Sequence, residues 1–558
     1  MNELVCESCK NAFPFSSDDE RFLARVSPTF QGRTFTIPPP TRCPECRVRR
    51  RMAWRNDRSF HHGVCSLTGK RIISIYPPET TIPVCHFEEW YSDRWDPMAY
   101  GRTIDLSRPF FEQWHDLMLV VPRLNVDLVN CENSDYCNYC GDDKNCYLDI
   151  AGEANEDCYY NLFTKYSKDC VDNTFIYHST LCYECINSHH TYASRYSTYL
   201  DTCSNCTFCF DLKGCNNCLF CTNLRNKEYY IFNEPCTKTE YERYVQRLNL
   251  GSFSATTEAK AKWEKFSLEH GIYRDMYATN AENCFGNDIH GCENCSHVFN
   301  VTNCEDCKFL YDVLDAKDCY DLNYSLYHPE VSYELISTLQ LHYSAFNMAT
   351  HYSSRVFYCS LTNNSHDLFG CIGLNHKEYC ILNQQYTREE YERLVPQLIE
   401  HMNRTGEWGE FFPETLSPFP YNETVAQEYL PLEASQARER GYPWREVNDE
   451  RESSGGKAIT WDSIGEVPDS ASNEVFSCSA CAQNFRMIRK ELAFYRTQEI
   501  PLPRLCPNCR HRARSALRAP RALWKRDCAN CGNEVTTSYP PSFSGKVYCE
   551  VCYLKDVY

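Results

Sequence analysis

The chain has no apolar run approaching membrane-spanning length, so no transmembrane role is expected. It also has no apolar leader, since Met1-Asn-Glu-Leu-Val-Cys6 runs straight into a metal knuckle. Thirty-eight cysteines without such a leader argue against a secreted disulfide scaffold and for a cytoplasmic protein with reduced thiols. There is no phosphate-cradling glycine loop, nucleophile elbow or dinucleotide fingerprint, and no catalytic residue can be named. Nor do the 17 histidines form a local metalloenzyme motif; the doublets His61-His62 and His189-His190 read first as surface or packed side chains. Positive charge is short, with 57 Lys/Arg against 75 Asp/Glu and a net −18. What there is sits at the ends: 11 against 7 in residues 1–62 and 14 against 6 in residues 475–558, which leaves −30 for residues 63–474. A length of 558 residues requires several domains.

What is abundant is cysteine in two spacings. At the ends it comes as paired Cys-x-x-Cys knuckles. Cys6 and Cys9, then Phe13, a Pro38-Pro39-Pro40 approach and Cys43-Pro-Glu-Cys46-Arg47 are repeated as Cys478 and Cys481, Phe485, Pro501 and Pro503, and Cys506-Pro-Asn-Cys509-Arg510. The match continues through Arg51 with Arg514, Arg55 with Arg518, Cys65 with Cys528, Gly69 with Gly532 and Tyr76-Pro-Pro with Tyr539-Pro-Pro, so one module is used twice. In the second copy a further quartet is complete: Cys528, Cys531, Cys549 and Cys552. Three closed quartets predict about three structural Zn²⁺ per chain, because four thiolates on two short knuckles close a tetrahedron and leave no position for substrate. In the first copy that further quartet has decayed, with Thr68 for Cys531 and Glu88 or Glu89 for Cys552. Cys65, Cys85 and His86 remain, and a metal-free remnant is preferred over a degenerate mixed-ligand site.

The pattern Cys-x-x-Cys-x-x-x-Phe, a Pro-rich approach and Cys-Pro-x-Cys-Arg resembles zinc-ribbon, treble-clef-like modules. The whole chain, including Ser417-Pro-Phe-Pro-Tyr-Asn-Glu-Thr-Val-Ala-Gln-Glu-Tyr429, resembles multi-cysteine zinc-ribbon proteins of candidate-phyla bacteria. That resemblance implies zinc and this domain order, and it carries over no activity.

In the middle, cysteine recurs every twelfth residue. Ser134, Cys146, Cys158, Cys170, Cys182, Ser194, Cys206 and Cys218 form one column, and the columns through Cys131 and Cys137 hold only small or short polar residues as well. A strict period far from 3.6 predicts a β-solenoid stacking like on like. Twelve residues at ~3.3 Å make a thin coil of about 40 Å contour, with room inside only for short side chains. A wider coil of two repeats is the alternative, but no alternation at twice the period supports it. Between the columns lie Tyr147, Tyr159, Tyr160, Tyr183, Tyr196, Phe208 and Phe220, either packed over the wall or exposed as a stacking ladder. A second array carries Cys292, Cys304, Cys295, Cys307 and Cys319, then Cys359 and Cys371 in a shifted phase. Its end repeats that of the first at an offset of 150 residues, Cys209 with Cys359 and Cys221 with Cys371.

Each array leads into an amphipathic helix opened by a capping box, Thr237 with Glu240 and Thr387 with Glu390. A similar cap is expected where Ser107 precedes Phe110, Phe111, Trp114, Leu117 and Met118. The expected order, mostly β, is a zinc-ribbon module (1–62), a degenerate second ribbon (63–100), a capping helix and linker (101–129), array 1 (130–235), a helical segment (236–275), array 2 with a helical interruption (276–386), a capping helix (387–410), a surface or partly disordered linker (411–474), a zinc-ribbon module (475–520) and a second zinc ribbon (521–558).

The array cysteines read first as packing thiols, because Ser, Asn, Asp and Thr replace them within the columns, an exchange no ligand tolerates. The basic ends, Arg47, Arg49, Arg50, Arg51 and Arg55, and Arg510, Arg512, Arg514, Arg518, Arg521, Lys525 and Arg526, carry the footprint of a phosphate-backbone binder. RNA is favoured over duplex DNA, since no recognition helix stands out. The same arginines would equally serve to fasten the ends to the chain's own acidic body. The expected function is a non-enzymatic zinc-binding scaffold for a macromolecular partner, RNA or another protein. The alternatives are a solenoid enzyme acting on a glycan and a thiol-rich metal-buffering or redox protein.

Overall fold

The structure, a computed structural model, describes residues 2–446 and 455–558. Strand outweighs helix, and two large sheets dominate. One has eight strands, from Leu162–Lys165 to Glu234–Pro235, and the other ten, from Ala278–Thr279 to Gln384–Gln385. In both, neighbours in sequence are neighbours in the sheet, and every pairing is parallel except that of the last short strand. Parallel neighbours ordinarily need a crossover of a dozen or more residues. Here the step itself is twelve: Leu162 pairs with Thr174, Thr174 with Ile186 and Ile186 with Thr198. Isolated bridges carry the same step back to Glu132 with Lys144.

The backbone reason is a left-handed residue at every third position. Asn133, Tyr136, Tyr139, Asp142 and Asn145 have φ between 48° and 57°, and the series continues through both arrays. Asn and Asp accept this region best, which accounts for their abundance there. The residue after each left-handed one points inward. Four inward columns result, through Cys146, Asp149, Gly152 and Asn155 in one rung, all buried. The sequence pattern exposed three of these columns. The fourth runs Cys140, Gly152, Thr164, Ile176, Ser188, Leu200 and Leu212.

Hydrogen bonding explains the composition of the columns. Within one triplet, Lys144 N–H donates to Asn155 O (2.8 Å) and Asn145 N–H to Glu132 O (2.8 Å). The N–H of an inward residue takes a side-chain atom one rung earlier instead, as in Asn155 to Asp143 Oδ1 (2.9 Å), Ser167 to Asn155 Oδ1 (3.1 Å) and Ser179 to Ser167 Oγ (3.1 Å). Short side chains with an acceptor are therefore selected, because a buried N–H without a partner is costly.

Two expectations are corrected. No helix interrupts 276–386; the Glu330–Met348 strand runs through the place where the cysteines stop. The shift of phase is one thirteen-residue step, Cys319 pairing with Ser332, made where Tyr327 and His328 are both left-handed. Residues 411–446 are not a surface linker, since Phe411, Phe412, Tyr421, Val425 and Ala426 are all at most 1% exposed. Of the Glu450–Gly456 run, residues 450–454 lie outside the described residues. The helix expected after Ser107 is present at Phe110–Met118, and the Glu407 carboxylate accepts from Phe110 N–H (2.8 Å) and Phe111 N–H (2.7 Å) at its start. Both predicted capping boxes are present, on Lys238–Leu248 and Arg388–Thr405.

The chain forms two compact units, Met1–Val126 with Met276–Arg445 and Arg521–Leu523, and Asp127–Asp275 with Glu446–Pro520 and Trp524–Tyr558. Each thus combines one terminal cysteine module with one parallel array.

Candidate metal centres and arginine clamps

Each quartet is built alike. The first two thiols sit on a tight turn between short antiparallel strands, Asn2–Val5 with Ala12–Phe15, Phe476–Ser477 with Asn484–Phe485, and Trp524–Asp527 with Glu534–Thr537. The residue after the second cysteine is left-handed: Lys10 (φ 63°), Ala482 (φ 60°) and Gly532 (φ 74°). The third thiol, Cys43, Cys506 or Cys549, is the N-cap of a helix and the fourth lies in its first turn. A helix N-terminus favours thiolate.

The four Sγ atoms of each quartet lie within 4.8 Å of one another. Cys9 and Cys43 are 3.6 Å apart, Cys481 and Cys506 3.7 Å, and Cys531 and Cys549 3.8 Å. A tetrahedron with metal–sulfur bonds of about 2.3 Å has edges of about 3.8 Å, whereas a disulfide is about 2.05 Å. The geometry therefore suits a four-thiolate metal ion. Burial pushes the Cys478 thiol up, but N–H groups of Cys506, Cys481 and Ala480 outweigh it and bring it down to about 6. Cys528 is likewise brought to about 6 by Cys531, Cys549 and Asn530 against burial, and a hydrogen bond from Cys43 brings Cys46 to about 5.

The decayed copy keeps the scaffold without the ligands. Gly69 remains left-handed (φ 71°), and His86 N–H donates to Cys65 Sγ (3.5 Å) as Cys549 N–H does to Cys528 Sγ (3.3 Å). The His86 ring, however, caps its own short helix, with Nδ1 accepting from Glu88 N–H (3.3 Å). Burial pushes Cys85 up to about 12. Cys65, Cys85 and His86 form no convergent group of three.

The basic residues point inward. In the first unit Arg47 meets Asp321 (2.7 Å), Arg51 meets Asp321 and Glu334 (both 3.0 Å), and Arg50 meets Glu334 (3.1 Å) and Glu410 (2.6 Å). Their side chains are 0–5% exposed. In the second unit Arg510 meets Asp172 and Glu491 (both 3.0 Å) and Arg514 meets Asp172 (2.6 Å). Arg55 is paired with Asp57 (2.7 Å), Arg49 with Glu45 (3.0 Å) and Arg521 with Asp312 (2.6 Å), while Arg518 lies 3.9 Å over the Phe175 ring. Arg512 and Lys525 are exposed and Arg526 half-buried. Burial of the clamp arginines Arg47, Arg50, Arg51, Arg510 and Arg514 is tolerable because a carboxylate faces each of them.

The aromatic residues between the columns pack rather than form an open ladder. Tyr159, Tyr160, Tyr183, Tyr196, Phe208 and Phe220 join Phe476, Leu492, Tyr495 and Leu502 in one core, with Tyr147 partly buried against it. Rings that are exposed lie elsewhere: Tyr166, His178 and His190 stack at 5.0 Å intervals. Array thiols donate to backbone carbonyls, as Cys158 Sγ does to Glu156 O and Ser167 O (both 3.5 Å). Burial pushes Cys158, Cys185 and Cys307 well up, whereas hydrogen bonds from neighbouring thiols pull Cys182 and Cys206 down.

One further group escaped the sequence. Cys140, Asp143 and Asp149, all buried inside the first array, bring one ligand atom each within 4.8 Å. The only signal was a pair of aspartates in two columns otherwise filled by Cys, Ser, Thr and Asn.

No protein-family model matches the chain, and no curated protein matches it either. Among solved structures, a chain described as a "putative acetyltransferase" from Desulfovibrio desulfuricans G20 is 7% identical, over 47% of this chain and 70% of that one, with a TM-score of 0.10. That score carries no argument about fold or activity.

Proposed function

We propose that the protein is a non-enzymatic zinc-binding scaffold. Its arrays act as two β-solenoids, and its terminal zinc-ribbon modules are docked on them by arginine. Zn²⁺ suits the quartets because all four donors are thiolates and no coordination position is left for substrate. The observation that carries the proposal is the matched pair of clamps: Arg47 and Arg51 on Asp321, Arg510 and Arg514 on Asp172. Arginines spent on internal carboxylates hold a scaffold together and offer little to a phosphate backbone.

A glycan-cleaving enzyme fits less well, since the convergent pair Asp143 and Asp149 is buried inside the first array. A thiol buffer fits less well too, because the array thiols are buried and bonded to carbonyls. The partner is taken to be a macromolecule. RNA would have to be met by Arg512, Lys525 and Arg526 rather than by the clamps.

The test is metal quantification with a salt-titrated RNA-binding assay. Replacing Cys9, Cys481 or Cys531 by Ser should each remove one zinc per chain, and RNA affinity at physiological salt should be absent. A zinc content indifferent to all three variants defeats the proposal. Salt-sensitive RNA binding abolished by Arg512→Ala with Lys525→Ala would make RNA the partner.

A further inference from the structure

The interior of the first array contains a site that the repeat itself does not require. Gly152 occupies a column whose neighbouring members, Cys140, Thr164 and Ile176, all carry side chains. A Cβ at Gly152 would lie 2.5 Å from Asp143 Oδ2, 2.5 Å from Asp149 Oδ2 and 2.9 Å from Asn155 Nδ2. Two carboxylates therefore lean into the space this glycine leaves open. Asp143 is 1% exposed, Asp149 0% and Cys140 4%.

Their polar contacts are incomplete. Asp143 Oδ1 accepts from Asn155 N–H (2.9 Å) and Asp149 Oδ2 from Asn155 Nδ2 (3.0 Å). Asp143 Oδ2 and Asp149 Oδ1 are buried with no hydrogen-bond partner. Cys140 Sγ accepts from Gly152 N–H (3.3 Å) and donates to Asp149 O (3.2 Å) and Asn138 O (3.4 Å), bonds that a metal-bound thiolate would give up. Among the described residues no lysine or arginine is paired with either aspartate, in contrast to Asp172 and Asp321. Two buried carboxylates side by side are costly unless a cation or a shared proton stands between them.

We infer that Cys140, Asp143 and Asp149 hold a divalent transition-metal ion of the zinc class inside the first array, in the space opened by Gly152. Two carboxylate oxygens and one sulfur, each able to reach a common centre, suit such an ion, and a mixed oxygen and sulfur set selects against Mg²⁺ and Ca²⁺. The ion would supply the counter-charge that the clamp arginines supply elsewhere. The inference does not depend on zinc at the quartets, whose ions are assigned by their own cysteine variants.

The test is native mass spectrometry of the intact chain purified in the presence of Zn²⁺. The wild type should carry one ion beyond those removed by the quartet variants, and Asp149→Asn and Gly152→Ala should each lose that one ion alone. The wild-type count, set against the quartet variants, needs neither Asp149→Asn nor Gly152→Ala, so a poorly folding substitution at this site leaves the test intact. A wild type without the extra ion, or one whose count survives both substitutions, overturns the inference. In that case, raised thermal stability of Asp149→Asn would show that the pair carries buried charge that no ion compensates.

Discussion

Asp172→Asn is the sharpest perturbation of the clamp. Asp172 is fully buried and takes ion pairs from Arg510 (3.0 Å) and Arg514 (2.6 Å), so the neutral amide leaves two guanidinium groups without their shared counter-charge. Removing one partner of a buried pair costs about 3–5 kcal/mol. The lower end applies because Arg510 keeps Glu491 (3.0 Å) and the Tyr495 hydroxyl (2.7 Å). At about 1.4 kcal/mol per tenfold, a loss of about 3 kcal/mol lowers the protection factor of the docked module roughly 100-fold. Global melting is the wrong assay, since a chain of two units need not unfold in one step. Hydrogen exchange at the amides of the Pro507–Ser515 helix reads the module directly. The loss should be largest there and small in the first unit, and replacing Arg514 and Asp172 together by apolar residues should recover part of it. Unchanged exchange in that helix would refute the clamp.

Two other outcomes follow from the arrays. Ser179 Oγ donates to Tyr177 O (3.0 Å) and accepts from Thr191 N–H (3.2 Å), so Ser179→Ala should cost about 1–3 kcal/mol, read by hydrogen exchange in the first array, while Ser179→Cys, which keeps a donor and an acceptor, should cost much less. Burial raises the Asp367 carboxyl, but Arg355 (2.6 Å) and His366 (2.8 Å) outweigh it and hold it below its ordinary value of 3.8. A depressed carboxyl stabilises the fold above that value and loses the contribution as pH falls through its own lower one. Since Arg355 is 57% exposed, the effect is about 0.5–1 kcal/mol, and Asp367→Asn should flatten the acid limb of the stability curve below pH ~4 by that amount.

The metal quartets were legible because their chemistry is local: two knuckles at short spacing declare four ligands without any knowledge of the fold. The twelve-residue step was legible because like side chains stack on like. The fourth column was not, because Thr164, Ile176, Ser188 and Leu200 share no chemical type, and the rule that unites them is a left-handed residue every third position. That rule is hidden where Tyr160, Phe163, His178 or Leu181 takes the left-handed conformation, which their propensities do not predict. Residues 411–446 misled for the opposite reason. Proline there suggested a loop, whereas the rings between the prolines decide, with Phe412 packed 4.3 Å from Trp114. Arginine charge was plain in the sequence, but its partners lie some 270 to 340 residues away.

Those partners show what was duplicated. Arg47 and Arg510 are separated by 463 residues, as are Arg51 and Arg514, while Asp172 and Asp321 are separated by 149, the array offset before the thirteen-residue step adds one. Two unrelated offsets converge on the same arginine–aspartate contact in both units, so the contact was copied with the modules and kept. The next acidic position tests this. Beyond the longer step the offset is 150, which matches Glu184 to Glu334. Glu334 takes Arg50 and Arg51, but the residue matching Arg50 is Ala513, and Glu184 instead takes Lys260 (2.7 Å) from the Phe253–His270 helix. Where the arginine was lost, a lysine from another element fills its place. These acidic array positions, Asp172, Glu184, Asp321 and Glu334, are therefore each met by a cation from another element of the same unit.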